Sequence, residues 1–399
     1  MIQSQPIAPN LPGRRRLSEG EIKILLDNHA RFLAGKGGKR AHLPFVDFSG
    51  LDLRGRKLSG GDFSGSVFDG AGLTGAQLDG AVLAGCDLRR ADLRGANLRK
   101  ADLRGACLSG ANLSGADLTE ADLRPGSVAR PHPTRGFPAV VQEQRGGEVD
   151  GANLSGATLD RSRLEGLFAA DADFSDASLA GARLTDANLK GANFEGASMA
   201  GGEVSGAILE DANFSGADMA GVSLASARTR GARLDKVATQ PTRADMARAA
   251  KLVIAARAHD AWVGSGGREG SPVRLDGADL RSVAGELKGL KLTAVSAKGA
   301  NLAGVDLSGV HLQGANLEGC DLRRATLKGA DLRGARLGGA DLTRADLSEA
   351  NLTPLAIGPG RSTATNLAGA RMRYARLQSA RMDGAVVDGA DLRGAKLPK

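Results

Sequence analysis

Residues 91–123 read ADLRGANLRKADLRGACLSGANLSGADLTEADL, and every fifth residue from Leu93 through Leu98 and Leu103 to Leu123 is leucine. The rule extends back through Leu88, Leu73, Phe68, Phe63 and Phe48 to Leu43, and returns over Leu154–Leu234, Leu287–Leu352 and Leu367–Leu397. Counted this way, 55 five-residue units take up 275 of the 399 residues. The central position departs from Leu or Phe only at Ala169, Val204, Thr229, Ala297, Val387 and four methionines.

A period of five fits no uninterrupted element. An α-helix advances about 100° per residue, so such positions drift around its cylinder. In a strand an odd period sends successive centres to opposite faces. Both conflicts vanish if each unit is a short extended piece followed by a corner. In Ala116-Asp117-Leu118-Thr119-Glu120 the Ala and Leu point inward, Asp and Thr outward, and the last residue turns. Ala recurs two before the centre because an interior filled by Leu leaves room for little more than a methyl group. Asp or Asn before the centre bonds nearby backbone at turns, and the frequent closing Gly permits a tight corner. Each buried Leu contributes about 1.5–3 kcal/mol, so the ladder of centres dominates stability. Phe174, Phe194 and Phe214 are spaced by twenty, as are Phe48 and Phe68, which predicts four units per coil and stacking of like on like.

Composition removes several function classes. With Gly 57, Pro 13 and aromatics at 3%, the core is built of Ala, Leu and Val, and an aromatic-lined catalytic pocket is disfavoured. Glycine follows no three-residue period, which excludes collagen, and apolar residues at regular intervals exclude disorder. The longest apolar run, Leu252 to Ala256, is far too short for a bilayer, and no signal-type segment opens the chain, so a cytoplasmic protein is expected. Cys86, Cys107 and Cys320 suit neither a disulfide framework nor a zinc site. The net charge of +8 is uneven: residues 1–42 carry +5, 43–123 carry −2, 151–234 carry −4 and 273–399 carry +6.

The run at 91–123 and GANLEGCDLRRATLKGADLRGARLGGADLTRADLSEANL at 314–352 resemble the pentapeptide repeat family, with its A-[DN]-L-x-x pattern. The resemblance implies an all-β solenoid, a right-handed quadrilateral β-helix, here of about 14 coils in two halves at four units per coil. Its best understood members imitate DNA and bind type II topoisomerases, while most have no assigned role.

Two segments break the repeat in parallel ways. Residues 18–40 begin with Ser18 and Glu21 as a capping box and place Ile22, Leu25, Leu26, His29 and Leu33 on one helical face. Residues 242–268 repeat the theme, with Met246, Ala250 and Val253 as the stripe, His29 and Phe32 answered by His259 and Trp262 at an offset of 230, and the glycine pair Gly37-Gly38 answered by Gly266-Gly267. GCDLRRA recurs at 85–91 and 319–325. An internal duplication follows, and the expected order is a basic tail at 1–17, capping helix at 18–42, β-helix at 43–123, Pro-containing insertion at 124–150, acidic β-helix at 151–234, second helix segment at 235–272, and basic β-helix at 273–399 interrupted at 353–364. The helices are expected to cap the first coil of each half, with His29, Phe32, His259 and Trp262 packing there. The last coil is expected to be buried against another subunit, as in a homodimer, or against the first half.

The candidate interaction surface is basic. Arg89, Arg90, Arg94 and Arg99 girdle one coil; Arg323, Arg324 and Lys328 repeat them; and Arg361, Arg371, Arg373, Arg376 and Arg381 form the least compensated tract. Local pairing with neighbouring aspartates is the competing reading. Cys86 and Cys320 are expected inside, and Cys107 facing out. No catalytic, metal or cofactor motif is present. The expectation is a non-enzymatic scaffold that displays a rigid surface to a protein partner, with 124–150 the first place to seek contact. The rivals are topoisomerase binding by DNA mimicry, suggested by the acidic middle, and nucleic-acid binding by the Arg-rich C-terminal half, with no membrane association.

Overall fold

The computed structural model describes residues 17–130 and 141–398, so the expected tail at 1–17 lies almost wholly outside the described residues. Each five-residue unit contributes one short extended segment that pairs in parallel with the segment twenty residues on: Asp47 with Val67, Val67 with Asp87, Asp87 with Cys107. The backbone ladder is regular, with Leu93 N donating to Asn112 O at 2.7 Å and Leu98 N to Asp117 O at 2.7 Å. Corners are β-turns in which the second residue after the centre has positive φ. Ala91 N donates to Leu88 O at 3.1 Å across Arg90, whose φ is 58°. This is the type II geometry that glycine favours, and it explains the closing Gly of most units.

The centres line the interior. Leu93, Leu98 and Leu103 are wholly buried, as are Phe174, Phe194 and Phe214. The three phenylalanines stack with ring centroids 4.8 and 4.9 Å apart and planes 2° from parallel. Phe48 and Phe68 stack at 4.7 Å, so the coil is four units long. Phe63, without an aromatic partner at twenty, sits edge-on to both at 6.0 and 5.9 Å on the adjoining wall. Its ring takes the space of the usual alanine methyl: a Cβ on Gly61 would lie 2.5 Å from it.

The chain divides into two compact units, Met1–Gln240 and Pro241–Lys399. In the first, helix α1 (Glu19–Leu33) starts at a complete Ser18/Glu21 capping box. It buries Ile22, Leu26 and His29, the two apolar residues joining the core that begins at Leu43. Phe32 departs from its expected cap position and is 46% exposed. Helix α2 (Arg243–Gly264), in the second unit, buries Ala249, Val253, Ala256 and His259. The expected stripe through Met246 and Ala250 is corrected: both are exposed, because the buried histidine sets the face and counting back from it in helical steps lands on 256, 253 and 249.

The ladder of the second unit starts earlier than its regular spacing indicates. Leu275 and Leu280 are buried centres of a first coil of 22 residues, lengthened by a helical turn at Arg281–Val283. In the first unit the repeat resumes at Val149, so the 124–150 insertion is shorter than expected. It is an antiparallel hairpin of β1 (Gly126–Arg130) and β2 (Val141–Arg145), and it makes Cys107 pair with Glu148, 41 residues on. The second excursion, β3 (Leu355–Gly358) and β4 (Arg361–Thr363), makes Arg336 pair with Asn366. Truncating the middle ring of the aromatic stack, Phe194→Ala, is expected to cost about 3–5 kcal/mol in thermal or denaturant unfolding, because parallel neighbours above and below cannot close the gap.

Candidate functional site

The basic residues form the candidate interaction surface, and local geometry decides what they can do. In an Asp-Leu-Arg unit the aspartate caps the turn and its carboxylate faces the arginine two residues on. Asp87 accepts from Arg89 Nε and Nη2 at 2.8 and 2.6 Å, and Asp321 from Arg323 at 2.9 and 2.5 Å. Asp92 holds Arg94 in the same bidentate fashion. The clamp lays the guanidinium against the wall, so Arg323 is only 15% exposed in its side chain. This is the local pairing with neighbouring aspartates that competes with an interaction surface at Arg89 and Arg323.

The other candidates pair between coils. Arg90 reaches Asp69 one coil back, Arg99 reaches Asp117 at 3.3 Å, and Lys328 meets Glu349 at 3.2 Å. Arg324 occupies the left-handed turn position with φ 57°. In the tract read as least compensated, Arg371 lies 4.0 Å from Asp341, Arg376 3.6 Å from Asp346 and Arg373 2.5 Å from Asp391. Arg371, Arg376 and Arg381 precede successive centres, which places them on three different walls. Arg361 is exposed on β4. The tract is therefore spread over several walls, with Arg371, Arg373 and Arg376 facing carboxylates, and is not a single patch.

These pairings reshape acidity. The guanidiniums of Arg94 and Arg54 hold the carboxyls of Asp92 and Asp52 down to about 2, and hydrogen bonding from Arg393 pulls Asp391 lower still. Burial works the other way on Cys107, which was expected outside: its thiol is buried, donates to Glu148 Oε2 at 3.1 Å and is pushed up to about 11. Nothing near Cys107 in sequence signals this, because Glu148 arrives from beyond the hairpin. Cys86 and Cys320 lie inside and donate to Phe63 O and Ala297 O at 3.1 and 2.8 Å.

The acidic middle is organised as well. Asp171, Asp176, Asp186 and Asp211 all sit at the left-handed turn position, with φ between 55° and 60°. Asp173, Asn193 and Asn213 form a ladder of 3.1 Å side-chain hydrogen bonds. A groove of about 540 Å³ runs between α1 and the first coil, lined by Ile22, Lys23, Leu26, Leu51, Leu53 and Arg56. Among the described residues no group of three or more His, Cys, Asp or Glu could hold a metal ion, and no helix is long and apolar enough to cross a membrane.

The two histidines were read as cap residues from sequence and occupy matching places. His29 Nδ1 accepts the Ala41 amide at 3.0 Å. His259 Nδ1 accepts the Val273 amide at 3.1 Å, and its Nε2 meets Thr293 O at 3.1 Å. His29 lies against Phe32 at 6.3 Å and His259 against Trp262 at 5.5 Å. The aligned positions open from an offset of 230 at the histidines to 232 at the amides and 234 at the cysteines, each step a net gain of two residues in the second copy.

The sequence profile of pentapeptide repeats matches residues 47–85, 86–124, 170–202, 204–235, 286–324, 320–353 and 363–397, more than half of the chain. No curated protein matches. Among solved structures, trypsin-treated QnrB1, a plasmid-mediated fluoroquinolone resistance protein, is 20% identical over 54% of this chain and 98% of its own, with a TM-score of 0.37. Rfr23, a pentapeptide repeat protein of the cyanobacterium Cyanothece 51142, is 29% identical over 33% and 86%, with a TM-score of 0.25. HetL, a pentapeptide repeat protein of Nostoc sp. strain PCC 7120 involved in heterocyst differentiation regulation, is 22% identical over 96% and 97%, with a TM-score of 0.16.

Removing the acid half of a clamp is expected to matter most where the pair is least exposed. Asp87 is 3% exposed in its side chain, and Asp87→Ala should cost about 1–3 kcal/mol in denaturant unfolding, more than Asp92→Ala. Because the carboxyls of Asp52 and Asp92 are depressed in the folded state, their stabilisation is present above the ordinary value of about 3.9 and lost as pH falls through about 2. Melting temperatures followed by circular dichroism should therefore decline mainly below about pH 4.

Proposed function

Since the chain belongs to the pentapeptide repeat family, whose members fold as right-handed quadrilateral β-helices, we propose that it is a non-enzymatic scaffold of about 14 coils that presents a rigid surface to a protein partner. The single observation that carries this reading is the packed interior: the central side chains and their alanines are buried along both cores, against one another. In this reading α1 and α2 act as end caps, shielding the exposed edge of each first coil. Specific contact then comes from what departs from the regular wall, above all the β1–β2 hairpin, since binding elements on rigid scaffolds concentrate in excursions.

The hairpin can be removed without disturbing register. Deleting residues 126–146 rejoins Leu123 to Val149 at the five-residue spacing, provided Pro125 is replaced by Gly, because that turn position needs a positive φ that proline cannot adopt. The deletion variant is expected to fold with an unchanged circular dichroism spectrum and to lose a protein that the full chain retains in affinity capture. Identical captures by both proteins would reject the hairpin as the contact.

A second reading, DNA mimicry toward a type II topoisomerase, draws on the carboxylates of 151–234. Asp171 and Asp211 project from the same corner two coils apart, each in the left-handed turn position. The net charge of +8 opposes it, since a mimic of a phosphate backbone should be acidic along its length. Excess protein is expected to leave gyrase supercoiling unchanged, and concentration-dependent inhibition or protection in that assay would favour the mimic instead.

A further inference from the structure

Both helices are tied to their units by the same device. A buried imidazole on the inner helix face accepts, through Nδ1, the amide of the residue two before the first centre: Ala41 before Leu43, and Val273 before Leu275. The bond spans the junction between helix and coil, and it exists only while Nδ1 is unprotonated. A second proton on the ring would set two N–H groups against each other and place a charge in a buried site. We propose that His29 and His259 are protonation-sensitive clasps, which hold α1 and α2 over the first coil of their own unit at neutral pH and release them on acidification.

The surroundings oppose the charged ring at His29. Burial pulls its pKa below the ordinary imidazole value, the Leu58 and Ser59 backbone offsets this in part, and Arg40 adds repulsion. The nearby acids are engaged elsewhere: Asp27 on its own helix pairs with Arg56 at 3.1 Å, and Asp62 on the second coil pairs with His42 at 2.8 Å. Around His259, Asp260 of α2 accepts the Lys291 amide at 2.7 Å. From the first coil, Arg274, next to Val273, is paired with Asp276 at 3.3 Å, and Lys291 lies two residues before Thr293. Among the described residues no carboxylate hydrogen-bonds either ring. Because the folded state prefers the neutral ring of His29, its contribution is complete above about pH 6.5 and falls away as pH drops through the folded-state value. The upper edge of this window, near pH 6.5, lies above the value of about 3.9 at which the aspartate clamps begin to weaken, so α1 should loosen before the solenoid does.

The protein carries its own reporter, since Trp262 is the one tryptophan of the chain and its ring lies 5.5 Å from His259. The experiment follows the full chain from about pH 7.5 to about 4.5 by Trp262 fluorescence, far-UV circular dichroism and hydrogen exchange corrected for intrinsic rate. The expected result is a reversible fluorescence transition with roughly tenfold or greater loss of protection at the Val273 amide and at Ala249–Ala256, while the β-helix signal stays constant. His259→Asn, whose amide oxygen can accept the same hydrogen bond without titrating, should abolish both changes. His29→Asn should do the same for the Ala41 amide and α1 alone, and it serves as the test if His259→Asn does not fold. Fluorescence change without loss of protection would mean simple quenching and overturn the proposal. A transition unchanged in the Asn variants, or one that coincides with loss of the β-helix signal, would overturn it too.

Discussion

Everything in this protein follows from one constraint, the parallel pairing of each residue with the one twenty positions along. Fixing that pairing stacks like side chains at the spacing seen in the phenylalanine column, 4.8–4.9 Å. The interior is then closed, since each Leu is covered above and below by its counterparts and each Ala methyl fills the remaining angle. What varies from unit to unit lies on the walls, at the ends and in the excursions.

The same constraint tames the charge. A net +8 suggests an anionic partner when read as a total. On a lattice with fixed spacing, however, many arginines meet a carboxylate either two residues before them on the same wall or one coil away. Arg89 lies down on Asp87, and Arg376 faces Asp346 across the coil step. These contacts convert an apparent patch into lateral bracing between coils, each worth little alone but repeated along the walls.

Duplication is legible at atomic detail. The histidines, the amides they accept and the thiols of Cys86 and Cys320 occupy equivalent places in the two units. The hairpins do not. The first leaves the wall after the seventeenth central residue, Leu123, and the second after Leu352, the sixteenth counted from Leu275, so the two emerge from neighbouring walls. Whatever the first hairpin contacts, the second is aimed differently with respect to its own unit.

The sequence by itself determined the solenoid, the length of its coil, the two helices and their capping boxes. Those features are written in short-range periodicity, and the apolar centre, alanine and turn residue each have one physical role that repeats dozens of times. It also placed both histidines on buried helix faces through a match at offset 230. Only the tertiary structure decided which partner each side chain meets. Cys107 is buried because Glu148 lands beside it after a hairpin, the stripe of α2 is rotated by where His259 finds its amide, and Arg371, Arg376 and Arg381 part onto separate walls. These outcomes depend on contacts between residues 14 to 41 positions apart, and a local pattern cannot encode them, because an inserted hairpin or a helix between units changes which residue faces which without altering the five-residue rule on either side of it.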